Sequence, residues 1–193
     1  MTTVQASTWF KVFEHDMDPI QTLRDEHEVI LAMLGRYERA VAAPIGVEEL
    51  AEFVDFFRDY ADACHHAREE KLLFPALTKA GLPSQGGPIG CMLEEHDEGR
   101  LLLAEMTAAL ALLKGRVGTA AERLQQAALR YTELLRAHID KENRVLFVIA
   151  TELLGPRERA LLARQFAAFD EDSEFSAIRV RAERTATRLS GEA

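Results

Sequence analysis

The sequence has 193 residues, 48% hydrophobic and 28% charged, which is enough for one domain with a sizeable core. A formal net charge of −9 argues against nucleic acid as a partner. No apolar stretch approaches the roughly 20 residues that cross a bilayer, and the N-terminus lacks a signal-peptide pattern, so we expect no membrane partner. Two cysteines without a disulfide framework favour a cytoplasmic location.

The first segment, residues 1–17, is an arm that groups three aromatic side chains, those of Trp9, Phe10 and Phe13. We interpret it as an aromatic plug that closes one end of a helical domain. His15 lies in the same arm and has no helical partner with which it could form a site. We therefore predict that His15 lies at the surface.

Residues 18–155 are predicted to form four long helices. Asp18-Pro19 is typical of a helix start, because a capping residue precedes proline at the first position. Apolar residues recur at three-four spacing, and Val145 is predicted on the inner face of the fourth helix. These patterns predict an all-α, up-down-up-down four-helix bundle. The four helices are expected at about 19–43, 47–79, 88–113 and 119–154.

The last segment, residues 156–193, carries a further helical pattern that is interrupted by an acidic stretch at residues 170–174. We predict helices that cover the bundle, with the acidic stretch as a solvated face or turn. No catalytic role is expected in this C-terminal extension.

One pattern of ionisable residues occurs twice in the central domain. Each copy contains a Glu-His pair, then a His-x-x-x-Glu pair, then a Leu-Phe step at a fixed offset. A spacing of four residues on a helix places both side chains on one face, one turn apart. The first copy is Glu26-His27, His65, Glu69 and Leu73-Phe74, and the second is Glu95-His96, His138, Glu142 and Leu146-Phe147.

Inward-facing imidazoles and carboxylates from four helices would converge on one place. Burying such groups is costly without a counter-charge, and metal cations would supply that charge. The donor set suits iron or manganese, with zinc as a possible substitute, whereas a structural zinc site is closed by four ligands, often thiolates. We therefore predict a two-metal site with the ligands His27, His65, Glu69, His96, His138 and Glu142.

A rival pair of residues lies beside the first His-x-x-x-Glu motif. His66 and Glu70 have the same spacing but are shifted by about 100° around the helix. The Leu-Phe step of the second copy follows Glu142 at the offset that selects His65 and Glu69. We favour that pair as ligands and leave open whether His66 or Glu70 contributes to the site.

Two further residues near the motifs have open roles. Arg100 lies one turn after His96, and we predict that it turns to solvent or pairs with Glu94 or Glu95. Tyr131 lies two turns before His138, so it either lines the site or is an ordinary core tyrosine, and the spacing favours neither.

The segments that carry these residues resemble the hemerythrin-like, or HHE cation-binding, family. They are RDEHE around His27, HHAREEKLLFP (65–75), GGPIGCMLEEHDEGR (86–100) and HIDKENRVLF (138–147), and the resemblance covers roughly residues 18–155. It implies an up-down four-helix bundle with a non-haem di-iron centre. The implied ligands are His27 and His65 for one iron, His96 and His138 for the other, and Glu69 and Glu142 as bridges.

Two departures from the oxygen-carrying hemerythrins bear on function. Those proteins have a further histidine one turn after the one that matches His96, where this chain has Arg100. Their last carboxylate is an aspartate five residues after its histidine, whereas Glu142 follows His138 by four. Both differences resemble the branch of the family linked to NO or oxygen sensing, iron–sulfur centre repair and peroxide handling. The implied partner is a small diatomic or peroxide ligand.

Three other functions stay open. The same centre could belong to an enzyme that breaks down peroxide or repairs iron–sulfur centres. His96-Asp97 is an HD dipeptide of the kind found in metal-dependent phosphohydrolases, although that function leaves both His-x-x-x-Glu pairs unexplained. Finally, the six polar residues could be satisfied core groups of a purely structural bundle. The sequence does not indicate whether the chain has a protein partner.

Overall fold

The computed structural model describes residues 18–42, 46–115 and 118–190. The predictions for the N-terminal arm, including the aromatic plug and the surface position of His15, lie outside the described residues. Within them all regular structure is helical, which confirms the all-α part of the predicted fold class. We number the helices α1 (Pro19–Val41), α2 (residues 47–79), α3 (Gly87–Lys114), α4 (residues 120–153), α5 (Pro156–Glu171) and α6 (Ser173–Ser190).

The helix ends follow from local chemistry. Asp18 caps α1, since its Oδ1 accepts a 3.0 Å hydrogen bond from the backbone N–H of Ile20. The turn before α3 ends at Gly86, and α3 begins at Gly87; their φ values of 65° and 59° lie in the left-handed region, which glycine adopts without strain. This turn lets α2 and α3 run as separate helices on either side of it.

The acidic stretch near the C-terminus interrupts the helical pattern less than predicted. Helix α5 continues to Glu171, and only Asp172 separates it from α6. The side chain of Asp172 caps the new helix, because its Oδ1 accepts a 3.0 Å hydrogen bond from the backbone N–H of Glu174.

The first four helices form a ring in which each helix contacts two neighbours. Helices α1 and α3 both pack against α2 and α4, so that the inner faces enclose a common core. Helix α5 lies against α1 and α2, and α6 lies against α1, α2 and α5. The C-terminal helices therefore cover the α1–α2 side of the ring. No helix in the described part of the chain is both long and apolar enough to cross a bilayer.

Two apolar clusters occupy the interior, and a layer of buried polar side chains separates them along each helix of the ring. The larger cluster contains the rings of Tyr37, Phe57 and Tyr131. The smaller one contains Phe74 and Phe147. The polar layer is thus enclosed by apolar side chains at both ends, and water has little access to it.

Helices α2 and α4 contain π-helical turns at the repeated motif. These turns span Phe57–His66 and Glu69–Leu73 in α2, and Glu142–Leu146 in α4. In both copies a π turn begins at the glutamate of the His-x-x-x-Glu pair, and such turns are frequent at functional sites. A π turn also changes which residues face inward. For this reason the inner position predicted for Val145 is wrong, and its side chain is 48% exposed.

Candidate metal centre

The polar layer contains all six residues that the sequence singles out, and each of them is fully buried. Their donor atoms form two groups, in each of which the atoms lie within 4.8 Å of one another. The first group, which we term the first position, is His27, His65, Glu69 and Glu142. The second group, the second position, is Glu69, His96, His138 and Glu142.

The two carboxylates are shared by both positions. Glu69 directs Oε1 towards His65 Nε2 (3.7 Å) and Oε2 towards His96 Nε2 (3.6 Å), so each oxygen faces a different position. The Oε2 atom of Glu142 lies 3.1 Å from His27 Nε2 and 3.3 Å from His138 Nε2. The carboxylates therefore lie between the two imidazole pairs, as bridging ligands would.

The outer nitrogens of the imidazoles are held by hydrogen bonds that follow the sequence repeat. His65 Nδ1 donates to Glu26 (2.9 Å), and His138 Nδ1 donates to Glu95 (3.0 Å). In each copy, the glutamate that precedes the lone histidine thus orients the histidine of the His-x-x-x-Glu pair. This is the usual arrangement around a metal-bound histidine, because it fixes the tautomer and the ring orientation.

The residue after each shared glutamate holds the lone histidine of the other copy. His27 Nδ1 donates to Asn143 Oδ1 (3.0 Å), and His96 Nδ1 donates to Glu70 Oε1 (2.7 Å). Glu70 lies outside both groups of four donors, so its contribution is to orient His96. The sequence repeat could have predicted this role. Glu70 and Asn143 occupy matching places in the two copies, each directly after the shared glutamate.

The repeated Leu-Phe step supports the same two lone histidines. The ring of Phe147 stacks on His27 with centroids 5.2 Å apart, and that of Phe74 stacks on His96 at 6.0 Å. Each phenylalanine therefore packs against the histidine of the other copy. This contact explains why the Leu-Phe step recurs at one offset from both His-x-x-x-Glu pairs.

With all four Nδ1 atoms donating outwards, the four Nε2 lone pairs point into the site. The Nε2 atoms of His27 and His65 are 2.9 Å apart, and those of His96 and His138 are 3.2 Å apart. Two lone pairs at such distances repel each other unless a proton or a metal cation lies between them. Against the opposing effect of burial, the carboxylates of Glu142 and Glu95 raise the pKa of His138 to about 9, so this ring holds a proton where no metal is bound. The donor geometry therefore fits metal binding at both positions.

Among the described residues, no oxygen of the shared carboxylates accepts a hydrogen bond of acceptable geometry, although all four are buried and Glu142 Oε2 lies within 3.3 Å of two imidazole nitrogens. Burial, together with the neighbouring Glu142 carboxylate, raises the pKa of Glu69 well above its ordinary value. Buried carboxylates are normally paired or bound to metal, because an isolated charge is costly in a low-dielectric interior. Cations at the two positions would remove this cost.

A basic side chain forms an ion pair with each glutamate that orients a histidine. Arg68, which is 1% exposed, binds Glu26, while Lys141 binds Glu95 at the surface. Burial alone would raise the pKa of Glu26, but Arg68 and His65 hold it well below its ordinary value. Glu26 therefore stays ionised and keeps its hydrogen bond to His65.

Arg68 also binds Asp170, which lies in the C-terminal extension. Asp170 is 34% exposed, so it stays partly solvated as predicted, but its carboxylate also pairs with the buried guanidinium of Arg68, which already binds Glu26. The extension thus reaches the hydrogen-bond network around His65, a link of 102 residues along the chain that helical periodicity does not reveal.

The predicted partners of Arg100 are also wrong. Its guanidinium binds Asp62 (2.8 Å), Glu70 (2.5 Å) and Asp97 (3.0 Å) rather than Glu94 or Glu95. Asp62 and Glu70 lie on α2, so Arg100 joins α3 to α2. A long-range contact of this kind is invisible in the spacing along one helix.

Arg100 and its three carboxylate partners form an ion cluster, and a small cavity lies between this cluster and the second position. The space open to the centre of a water-sized molecule is about 10 Å³. Tyr131 lines the cavity and also packs against Phe57 in the core, so both of its proposed roles apply. The remaining lining residues are Asp62, His66, Glu95, His96, Gly99, Arg100, Leu103, Leu134, Leu135 and His138.

Comparison with known proteins agrees with this geometry. The model of the hemerythrin HHE cation binding domain matches residues 18–150, which include all six donors. Among curated proteins, no significant match to the chain was found.

Proposed function

The chain belongs to the hemerythrin HHE cation-binding domain family, and on that premise we propose that it is a di-iron protein that binds or senses O2, NO or peroxide. His27 and His65 would hold one iron, His96 and His138 the other, and Glu69 and Glu142 would bridge them. Manganese or zinc could substitute, since imidazole and carboxylate ligands suit these ions as well.

One observation carries this proposal. Two buried carboxylates without hydrogen-bond partners among the described residues lie between two pairs of imidazoles whose free nitrogens face each other. A structural bundle of satisfied core groups does not account for oxygens that lack partners. Two metal cations would satisfy all of these donors at once.

Iron at these positions would supply a redox-active centre with exchangeable coordination positions. The protein residues supply its surroundings. Glu26, Asn143, Glu70 and Glu95 hold the imidazole rings in orientation. The two apolar clusters exclude water, and the cavity beside the second position limits access to molecules of a few atoms.

We also propose the up-down-up-down topology. Along α1 and α3 the chain passes from the smaller apolar cluster, through the polar layer, to the larger cluster, and along α2 and α4 it passes in the reverse order. This alternation supports antiparallel neighbours in the ring. A cytoplasmic location likewise remains a proposal, supported by the two free thiols of Cys64 and Cys91.

The phosphohydrolase alternative loses support from the position of Asp97. Its side chain is 78% exposed and binds Arg100, and it belongs to neither group of four donors. An HD-type site would require this carboxylate on the metal. We therefore expect Asp97→Ala to retain the full metal content.

The proposal is tested by metal analysis and a visible spectrum. The purified protein is expected to carry about two irons per chain, with near-ultraviolet absorption from an oxygen-bridged pair. Glu69→Gln is expected to lose both irons because the carboxylate is shared, while Asp97→Ala serves as the control. Wild-type protein that takes up neither iron nor manganese would contradict the proposal. Peroxide turnover by the loaded protein would identify an enzyme rather than a binding protein.

A further inference from the structure

His66 is a buried histidine that the six-donor centre does not use. Neither of its ring nitrogens has a hydrogen-bond partner among the described residues. The nearest acid is Asp62, whose Oδ1 lies 3.6 Å from Nδ1 and already accepts a 2.8 Å hydrogen bond from Arg100. A neutral imidazole offers one donor and one acceptor, and here both are unused.

The position of the ring argues against direct metal binding at the second position. His66, His96 and His138 form a further group of donors, but this group includes neither carboxylate. The ring of His66 stacks on that of His96, with centroids 3.9 Å apart and planes 15° apart. Imidazole lone pairs lie in the ring plane, so two stacked parallel rings cannot direct them at one ion.

His66 does line the cavity beside the second position. A small polar molecule that enters this cavity would meet the ring of His66, whose nitrogens have no hydrogen-bond partner among the described residues. The cavity is large enough for about one water-sized molecule, which requires polar groups in its wall.

The sequence repeat shows that this histidine is specific to one half of the centre. At the place that matches His66, the second copy of the motif has Ile139, which is buried and apolar. Two other lining residues differ in the same way, since Asp62 matches Leu135 and Arg100 matches Leu31. The polar residues are thus additions at the cavity and are not required by the metal-binding plan that both halves share.

Resting on the proposed function, we propose that His66 hydrogen-bonds the small molecule admitted to the cavity and is a specificity-determining residue rather than a metal ligand. It favours ligands with a polar atom, such as NO or peroxide, over apolar molecules of the same size. Its stacking on His96 sets the direction of the hydrogen bond.

The experiment uses NO on the anaerobic iron-loaded protein. It compares wild type with His66→Ile, which installs the residue of the matching position, and with His66→Gln, which keeps a donor and an acceptor. Ile139→Val is the matched control, because it alters the equivalent buried position in the other copy. Measurements are iron per chain, the NO dissociation rate and the N–O stretching band in H2O and D2O.

All four proteins are expected to hold the same iron. In His66→Ile, NO should dissociate about three to ten times faster, as expected for the loss of one hydrogen bond. The D2O sensitivity of the stretching band should also disappear in this variant. His66→Gln should restore both properties in part, and Ile139→Val should match wild type.

Three results would overturn the inference alone. The first is a loss of iron in His66→Ile, which would make His66 a ligand. The second is an unchanged NO dissociation rate at full iron content. The third is an N–O stretching band of the wild-type protein that does not change in D2O. This measurement does not depend on the folding of any variant. A wild-type protein that takes up no iron would instead overturn the proposed function, and this inference with it.

Discussion

The two halves of the centre have the same plan but different surroundings. The glutamate that orients the first half, Glu26, is 2% exposed, and the cation behind it, Arg68, is 1% exposed. The matching pair in the second half is Glu95 at 17% and Lys141 at 41%. The same hydrogen-bond chemistry is thus enclosed in one half and close to solvent in the other.

This difference separates two tasks. The C-terminal extension supports the first half, because Asp170 forms an ion pair with Arg68, which also binds Glu26. The second half borders the cavity and the ion cluster of Arg100. On the proposed function, we infer that the first half would hold the metal pair in place and that the second half would receive the ligand. The following changes test that division, beginning with the largest expected effect.

Arg68→Met and Lys141→Met are equivalent changes in the two halves, and they should differ sharply. Loss of Arg68 leaves Glu26 and Asp170 without their shared cation, and breaking a buried pair costs about 3–5 kcal/mol of unfolding free energy. Loss of the exposed Lys141 should cost less than about 1 kcal/mol. Urea unfolding of both variants measures the contrast. Equal losses would show that the halves are not differently enclosed.

Removal of the metals should destabilise the whole centre, because the shared carboxylates join the halves. A ligand that binds only the folded state, at about a hundred times its Kd, adds roughly 2.7 kcal/mol to the free energy of unfolding. For a chain of this size, that corresponds to a melting temperature about 5–10 °C lower after chelation. Calorimetry before and after verified metal removal tests this. An unchanged melting temperature would count against metal at a site built from these donors.

Sequence reasoning brought the six donors together because each lies in a short helical pattern. The Glu-His pair, the four-residue spacing and the Leu-Phe step are local patterns. Helical periodicity therefore places the donors of each helix on the inner face of that helix. The spacing left the contributions of His66 and Glu70 open, because it reveals neither a π turn nor a partner on another helix. For Glu70, the signal lay in the matching position of Asn143 in the second copy.

The long-range ion pairs could not be predicted from sequence patterns for a different reason. Arg68 meets Asp170, and Arg100 meets Asp62, through the packing of separate helices. A charged residue at a given helical position is compatible with many partners until that packing is known. The enclosed character of the first half therefore emerged only from the structure.

Acid should weaken the first half through Glu26. The folded protein holds the pKa of this carboxyl well below its ordinary value of about 4.5, so Glu26 stays ionised while the unfolded chain takes up a proton below that pH. Its contribution is complete above about pH 4.5 and is lost as the pH falls, at about 1.4 kcal/mol per pH unit. In metal-free protein, the stability difference between wild type and Glu26→Gln should shrink accordingly between pH 5 and pH 3.

The equivalent change in the second half is the control for this titration. His138 and Lys141 lower the pKa of Glu95 to about 2 against the opposing effect of burial, so the direction is the same. Solvent near Glu95 weakens its interactions, and Glu95→Gln should show a smaller effect over the same pH range. A larger effect at Glu95 would reverse the assignment of the enclosed half.

The smallest effect is expected at Arg100, where the cavity meets the surface. Arg100 is partly exposed and its ion pairs are solvated, so Arg100→Met should change the unfolding free energy by less than about 1 kcal/mol. It should nevertheless speed NO association, because the link between α3 and α2 beside the cavity is lost. Arg130→Met, which also breaks exposed ion pairs between α4 and α3 but does not change a residue that lines the cavity, is the control.

Stopped-flow mixing distinguishes this effect from that of His66, since a change at the opening of the cavity alters the association rate while a lost hydrogen bond alters the dissociation rate. If Arg100→Met and Arg130→Met bind NO at the same rate, the ligand reaches the second half by another path, and Arg100 serves only to orient Glu70.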